Sequence, residues 1–137
     1  FEEFKRLHVE VAGRVTRSAD TWDFQWERVA EGSAWVVEAR ELGVLVAASL
    51  FVVHENACSY SVSVARRDLF DKPLNHVLVW KAIVKAKQDG LRWFYMGESM
   101  IDPSVDTEDK VESIMKFKRG FGGTTKIKVE ATFSLGE

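Results

Sequence analysis

The chain has 137 residues, of which 46% are hydrophobic and 29% are charged. This balance predicts one compact globular domain and excludes a disordered chain. The net charge of −2 excludes a general electrostatic attraction to nucleic acid or anionic membranes. A single cysteine, Cys58, excludes an internal disulfide and a cysteine-cluster metal site, and it indicates a reducing, cytoplasmic location. The longest apolar run, 44–53, is too short to span a membrane.

Two amphipathic helices are predicted at the start of the chain. The apolar stripe of the first helix has helical spacing and consists of Phe1, Phe4, Leu7, Val11 and Val15. Asp20 or Thr21 is expected to cap the second helix, and Gly32 and Ser33 to end it. Its apolar side is expected to carry Trp22, Trp26 and Val29.

Three antiparallel strands are predicted next. Residues 34–40 and 44–54 are joined by a tight turn at Leu42-Gly43, which is typical of a β-hairpin. A second turn at Glu55-Asn56 leads to a strand over 59–64, where small polar and apolar residues alternate. This order places the third strand directly before a helix.

The second half of the chain predicts a parallel crossover. Pro73 suits the first turn of a helix that ends near Gly90, and 91–96 is a strand too apolar on both faces to be exposed. Another helix, capped by Asp106 or Thr107, ends at Gly120 and is followed by an alternating strand over 126–135. The inward side of the helix that ends at Gly120 is expected to carry Val111, Ile114 and Met115. The fold class is therefore a mixed α/β sheet with the order α-α-β-β-β-α-β-α-β.

Two runs carry a resemblance to a known family. They are Leu-Phe-Asp-Lys-Pro-Leu-Asn-His at 69–76 and Lys-Phe-Lys-Arg-Gly-Phe-Gly-Gly at 116–123. With the element order, they resemble the acyltransferase fold called GNAT, and within it the Fem-type peptidoglycan-bridge aminoacyltransferases. The second run is similar to the Fem signature Phe-Lys-x-Gly-Phe-Gly, and Tyr95-Met96-Gly97 stands where that family ends a strand with an apolar–Gly pair.

The chain departs from the family pattern in two ways, and the loop before its central helix bears on the donor. No strand precedes the first helix, and Fem-type enzymes carry two such domains where 1–137 holds one, so we expect a fragment or one half of a two-domain protein. Acetyl-CoA-binding GNAT proteins also place glycines in the loop before the central helix, where backbone N–H groups hold pyrophosphate. The corresponding loop here, 67–73, contains no glycine, which disfavours that mode of CoA binding.

The resemblance implies where an acyl donor would bind. Backbone N–H groups near 61–64 would face the acyl oxygen, and Ser61 and Ser63 would leave room for the donor. Lys118 would neutralise developing charge, with Phe117 and Gly97 shaping the same pocket. The remaining donor-binding residues would be Arg66, Arg67, Lys72 and Asn75.

His76 and Glu98 are the candidates for the base that takes a proton from the amine acceptor. The alternative for His76 is a structural histidine at the start of a helix. The alternative for Glu98 is a loop carboxylate in water. The basic cluster that would meet the acceptor end of a tRNA comprises Lys116, Lys118, Arg119, Lys126 and Lys128. No metal site is expected, because the three histidines are far apart.

Three functions stay open. The first is a Fem-like acyltransferase that moves an acyl or aminoacyl group from aminoacyl-tRNA or acyl-CoA to a small-molecule or peptide amine. The second is an acetyl-CoA-dependent N-acetyltransferase. The third is a non-catalytic GNAT-shaped binding or dimerisation module, and a homodimer through an exposed sheet edge is expected.

Overall fold

A computed structural model describes residues 1–98, 109–126 and 131. The chain divides into two compact units, Phe1–Ile101 and Asp102–Glu137. The first unit begins with helices α1 (Glu2–Ala12) and α2 (Ala19–Ala30). Whether the whole chain is a single domain, a fragment or one half of a larger protein stays a prediction.

The first unit contains a four-stranded sheet in the order β1-β2-β3-β4. The strands are β1 (Ala34–Glu41), β2 (Val44–His54), β3 (Ala57–Ala65) and β4 (Trp93–Tyr95). The first three pair antiparallel and β3 pairs parallel with β4, so both predicted topologies are confirmed. Helix α3 (Leu74–Gln88) makes the crossover, and a 3₁₀ turn at Arg67–Leu69 lies between β3 and α3.

One face of the sheet is sealed by α1 and α2. Its core consists of large apolar side chains, among them Phe4, Leu7, Trp22, Leu50 and Val62. The predicted stripe of α1 is too long by one residue, because the helix ends at Gly13 in a left-handed conformation and Val15 is 73% exposed.

The cap of α2 also differs from the prediction. Ser18, rather than Asp20 or Thr21, caps the helix, because its hydroxyl accepts a hydrogen bond from the Thr21 N–H at 3.2 Å. Trp22 is buried as expected, but Trp26 is half exposed and packs on Phe1.

The opposite face is covered by α3. Helix α3 buries Leu78, Val79, Ala82 and Ala86. The facing strands contribute small residues such as Ala47 and Ala65 and the buried ring of Phe51. Pro73 precedes the helix as its cap rather than lying in its first turn, and Gly90 follows the helix with a φ of +76°, as a stop residue should.

Strand β4 is shorter and more exposed than the sequence predicts. It spans three residues, and Trp93 and Tyr95 are exposed. Phe94, which lies between them, is on the α3 side of the sheet. Its ring centroid lies 6.0 Å from that of Phe51. The prediction of burial on both faces is wrong, because α1 packs on β2 and β3 and α2 on β1.

Helix α4 (Asp109–Arg119) is the described helix of the second unit. It ends before Gly120, as predicted, with Lys116, Lys118 and Arg119 in its last turn. Ile114 was expected to face inward but is 45% exposed. The predicted caps Asp106 and Thr107 and nearly all of the predicted strand 126–135 lie outside the described residues.

Candidate functional site

The two parallel strands, β3 and β4, pair at three positions and then separate. They pair at Ala57–Trp93, Cys58–Phe94 and Ser59–Tyr95, and β4 ends there while β3 continues for six residues to Ala65. A β-bulge follows at once, since Leu50 opposes Val62, Phe51 opposes Tyr60, and Ser61 opposes no residue of β2. Bulges bend a strand and increase its twist. Among the described residues, a gap therefore opens along β3 beyond Ser59, at the carboxyl end of β4.

The backbone of β3 presents hydrogen-bond donors along this gap. The Arg66 N–H donates to the Val46 carbonyl at 2.9 Å, so it points toward β2. Because N–H groups alternate in direction along a strand, those of Ala65 and Ser63 point to the other edge. No described strand pairs with β3 along that edge past Ser59. These N–H groups lie within or next to the stretch where the sequence predicts the donors for an acyl oxygen.

Two of the three predicted donor-binding cations are already held by carboxylates. Arg66 donates to both oxygens of Asp68 at 3.0 and 2.7 Å, and Lys72 donates to Glu41 at 2.6 Å. These hydrogen bonds raise the pKa of both cations. Both pairs are exposed. One lies within the loop and the other ties the loop to the end of β1, so they fix its course at low energetic gain.

Arg67 differs from these two cations. It is exposed and makes no ion pair with any residue that the structure describes. It lines an open pocket of about 420 Å³ with Arg66, Asp68 and the end of α1 at 10–13. Arg67 is therefore the loop cation best placed to meet an anionic ligand.

A chain of polar side chains crosses the α3 face of the sheet. The Ser49 and Ser63 hydroxyls lie 2.8 Å apart, and Ser63 donates to Asn75 Oδ1 at 3.0 Å. The Tyr60 hydroxyl hydrogen-bonds with the same two serines, and burial raises its pKa. Ser49 is fully buried. The structure thus brings together two predicted site residues, Ser63 and Asn75, but their contact is with each other inside the protein.

The other predicted residues of the first unit lie near the start of α3 and just after β4. His76 follows Asn75 on α3 and is exposed, and Glu98 is exposed three residues beyond β4. Gly97 has a φ of +82°, a conformation that side chains other than glycine rarely adopt. The roles of His76 and Glu98 as bases stay predictions.

Phe117 and Lys118 belong to the second unit. The Phe117 ring packs edge-to-face on Phe121, with centroids 5.3 Å apart. Lys118 is half-buried, and the partial burial lowers its pKa. The glycine run that follows contains Gly122 and Gly123 with φ of +74° and +95°, so the Fem-like signature has a backbone that requires glycine there.

The described part of the chain contains no candidate metal site and no helix suited to cross a membrane. Residues 1–98, 109–126 and 131 contain no group of three His, Cys, Asp or Glu that could hold a metal ion. In the same residues, no helix combines the length and apolarity that a membrane crossing needs. Cys58 is buried, and burial raises the pKa of its thiol to about 12, so it is a packing residue rather than a nucleophile.

Comparison with solved structures identifies the fold. An aminoglycoside acetyltransferase from an uncultured soil metagenomic sample, solved with sisomicin, superposes with a TM-score of 0.70 at 12% identity, over 100% of this chain and 88% of that one. The ribosomal-protein-alanine N-acetyltransferase of Brucella melitensis biovar Abortus 2308 gives 0.65 at 17% identity, over 97% and 92%. The chain has the GNAT acetyltransferase fold. The Fem-type branch is not confirmed.

A third GNAT-fold structure was solved with a donor–acceptor analogue. AAC(6')-Iy, in complex with the bisubstrate analogue CoA-S-monomethyl-acetylneamine, gives a TM-score of 0.66 at 11% identity, over 97% of this chain and 91% of that one. No protein-family model and no curated protein sequence matches the chain. At these low identities the comparisons establish the fold alone.

Sequence analysis missed two members of the polar chain. Ser49 lies inside the apolar run 44–53 and Tyr60 next to the predicted serine positions, and neither was considered for the site. A signal was present, because a serine in the middle of a buried strand needs a hydrogen-bond partner. Only the register, which pairs Ser49 with Ser63, identifies that partner.

Proposed function

We propose that this protein is an N-acyltransferase that moves an acyl group from an acyl-CoA thioester to an amine. The observation that carries the proposal is the parting of β3 and β4 after Ser59 and Tyr95, directly before the bulge at Ser61. Paired strands would leave no room for a ligand between them. An opening at the carboxyl ends of parallel strands is where α/β folds usually bind ligands.

The chemistry follows from the groups that border the opening. A neutral amine attacks the thioester carbon, the carbon–sulfur bond breaks, and the CoA thiolate leaves and takes up a proton. The N–H group of Ser63 or that of Ala65 would donate to the oxygen that becomes negative during attack. His76 or Glu98 would accept the proton that the amine loses, because both are exposed beside the gap.

The donor's phosphates would bind at the start of α3. The Asn75 N–H makes no hydrogen bond with any described residue, and the positive end of the helix dipole lies there. Arg67 would add a positive charge. Arg66 and Lys72 would act by holding the loop rather than by contacting the donor, since Asp68 and Glu41 occupy them.

The test begins with donor binding and then measures transfer. Thermal unfolding is recorded with and without acetyl-CoA, and a ligand at 100 times its Kd should stabilise the protein by about 2.7 kcal/mol. Acyl transfer to a panel of primary amines is then followed by thiol release. Arg67→Ala should weaken acetyl-CoA binding, whereas Arg14→Ala, which removes an exposed arginine outside the loop, should not. An unmoved melting curve at saturating acetyl-CoA removes the CoA proposal.

A second candidate is aminoacyl transfer from tRNA, as in the Fem-type enzymes that the chain resembles. Two observations favour it over a CoA donor. The loop 67–73 lacks the glycines that would let a backbone approach pyrophosphate. Phe117 and Lys118 form part of a Fem-like run, and Lys118 is half-buried rather than freely solvated. In this function Lys118 would neutralise charge on the aminoacyl ester, and Lys116, Arg119 and Lys126 would meet the acceptor end.

Lys118→Ala distinguishes the two donors when both are assayed with the same amine. The aminoacyl-tRNA hypothesis expects a loss of transfer for this variant, while Lys87→Ala, which removes an exposed lysine in the last turn of α3, should behave as the parent protein. If the parent protein transfers from neither donor, the third hypothesis, a non-catalytic module, replaces both. A homodimer and a cytoplasmic location stay predictions, and sedimentation at high concentration tests the dimer.

A further inference from the structure

We propose that Asn75 contacts the acyl donor through its side-chain Nδ2, and that Ser49, Ser63 and Tyr60 are positioning residues that hold its amide in the required orientation. The proposal rests on the proposed function, because it assigns a donor contact within the same gap. It adds two residues, Ser49 and Tyr60, to the working parts of the site.

The hydrogen-bond geometry fixes the direction of the chain. The Ser63 hydroxyl has one proton and donates it to Asn75 Oδ1 at 3.0 Å. It can therefore only accept from Ser49, whose oxygen lies 2.8 Å away. The Tyr60 hydroxyl supplies a third member that hydrogen-bonds with both serines. The two links through Ser63 point from Ser49 toward α3, so the amide oxygen of Asn75 faces the serines.

The amide nitrogen of Asn75 is left available by this arrangement. Nδ2 carries two protons and makes no hydrogen bond with any described residue. It is not among the buried polar atoms without a partner, although Asn75 itself is only half-exposed, so Nδ2 is accessible to solvent. Asn75 stands in the first turn of α3, anchored to β3 four residues beyond the last pair with β4. Its two donors thus lie beside the gap, ready for a carbonyl or phosphate oxygen.

The burial of the chain explains why it would act on orientation. An isolated asparagine amide can rotate, and water competes for both of its ends. Ser49 is fully buried and Tyr60 is half-buried, so water competes poorly for the hydrogen bonds of Ser49. Because burial raises the pKa of Tyr60, its hydroxyl keeps its proton throughout the pH range of an assay. The orientation of the amide is therefore set by the core.

The test measures acetyl-CoA binding by calorimetry for the parent protein and three variants, well below their melting temperatures. Asn75→Asp keeps an oxygen for Ser63 and loses the Nδ2 donors, and it should weaken binding by at least about tenfold. Ser49→Ala removes the hydrogen bond between Ser49 and Ser63 and should weaken acetyl-CoA binding by about two- to fivefold. Ser33→Ala is the control, since it removes a half-buried serine hydroxyl that donates to the Arg28 carbonyl at 3.2 Å, outside this chain.

The outcomes separate the two proposals. Failure of the parent protein to bind any CoA ester overturns the proposed function, and this inference with it. Binding by the parent that Asn75→Asp and Ser49→Ala leave unchanged, with only a lower melting temperature, overturns the inference alone and makes the chain structural. Weaker binding by Asn75→Asp and Ser49→Ala but not by Ser33→Ala, with a rise in KM for acetyl-CoA at constant KM for the amine, supports it.

Discussion

The two faces of the sheet are built on different principles. The face under α1 and α2 is filled by large apolar side chains, with the rings of Phe4 and Trp22 5.5 Å apart. The face under α3 combines small residues such as Ala47 and Ala82 and the buried ring of Phe51 with the polar chain that starts at Ser49. Large side chains exclude water and supply stability. Small and polar ones let α3 approach closely and fix where it begins, which matters for the donor gap.

The largest effect is expected on the α1 and α2 face. Phe4→Ala removes a fully buried ring and should lower the free energy of unfolding by about 3–5 kcal/mol. Urea denaturation measures this change. Phe24→Ala is the control, because that ring is 58% exposed and its loss should cost less than about 1 kcal/mol. Equal losses for the two variants would contradict the division of the faces.

A smaller loss of stability but a larger loss of donor binding is expected under α3. Ala47→Leu inserts three carbons where α3 packs on β2 and should lower the free energy of unfolding by about 1–3 kcal/mol. Because α3 must move away, acetyl-CoA affinity should fall as well. Ala30→Leu adds the same atoms at the exposed end of α2 and should change neither quantity. Retained affinity in Ala47→Leu would show that the position of α3 is not critical.

The polar chain should make the α3 face sensitive to alkali. Tyr60→Phe removes one hydroxyl from the chain and should lower the free energy of unfolding at neutral pH by about 1 kcal/mol. Burial raises the pKa of Tyr60 in the folded protein, so its stabilising effect is complete below the unfolded value of about 10 and is lost as the pH rises further.

The difference between Tyr60→Phe and the parent protein should therefore shrink above about pH 10, where the unfolded tyrosine loses its proton. Melting temperatures between pH 7 and 11 measure it. A difference that stays constant across this range would mean that the Tyr60 hydroxyl is as exposed in the folded protein as in the unfolded chain.

The smallest effect is expected from acid, on the other face. His8 packs against Trp22 with ring centroids 5.3 Å apart, and burial lowers its pKa. The unfolded chain thus binds the proton more readily, so stability should fall as the pH drops below about 6.5. His8→Phe should reduce this fall, whereas His54→Gln, at an exposed position, should not. Melting curves from pH 7.5 to 5 measure the slope, and parallel slopes for all three proteins would contradict the prediction.

Sequence patterns predicted the helices and strands closely where the hydrophobic periodicity was strong. The bounds of β2, Val44–His54, match the prediction, and so do the antiparallel order of the first three strands and the stop of α3 at Gly90. The errors lie at element ends and on exposed faces. The cap of α2 and the burial of β4 were wrong, because both depend on which neighbours happen to be present.

The candidate site was predictable only in part. The sequence predicts donor binding at the end of β3 and the start of α3. The pairing of β3 with β4 ends at Ser59, next to these positions, and donor binding there stays a prediction. It could not show that Arg66 and Lys72 are held by Asp68 and Glu41, since Glu41 is 31 residues away from Lys72. The roles of Lys118 and Phe117 stay predictions from the family resemblance.

By itself, the sequence determined the order and type of the elements, because periods of two and of 3.6 residues and the glycine stops act over a few neighbouring positions. The tertiary structure decided where β3 and β4 separate and which polar groups meet behind α3. Ser49, Ser63 and Asn75 are 14 and 12 residues apart in sequence, yet their hydroxyl and amide groups lie within 3.0 Å of each other in turn. Such contacts depend on strand register and on one bulged residue, and neither leaves a periodic mark in the chain.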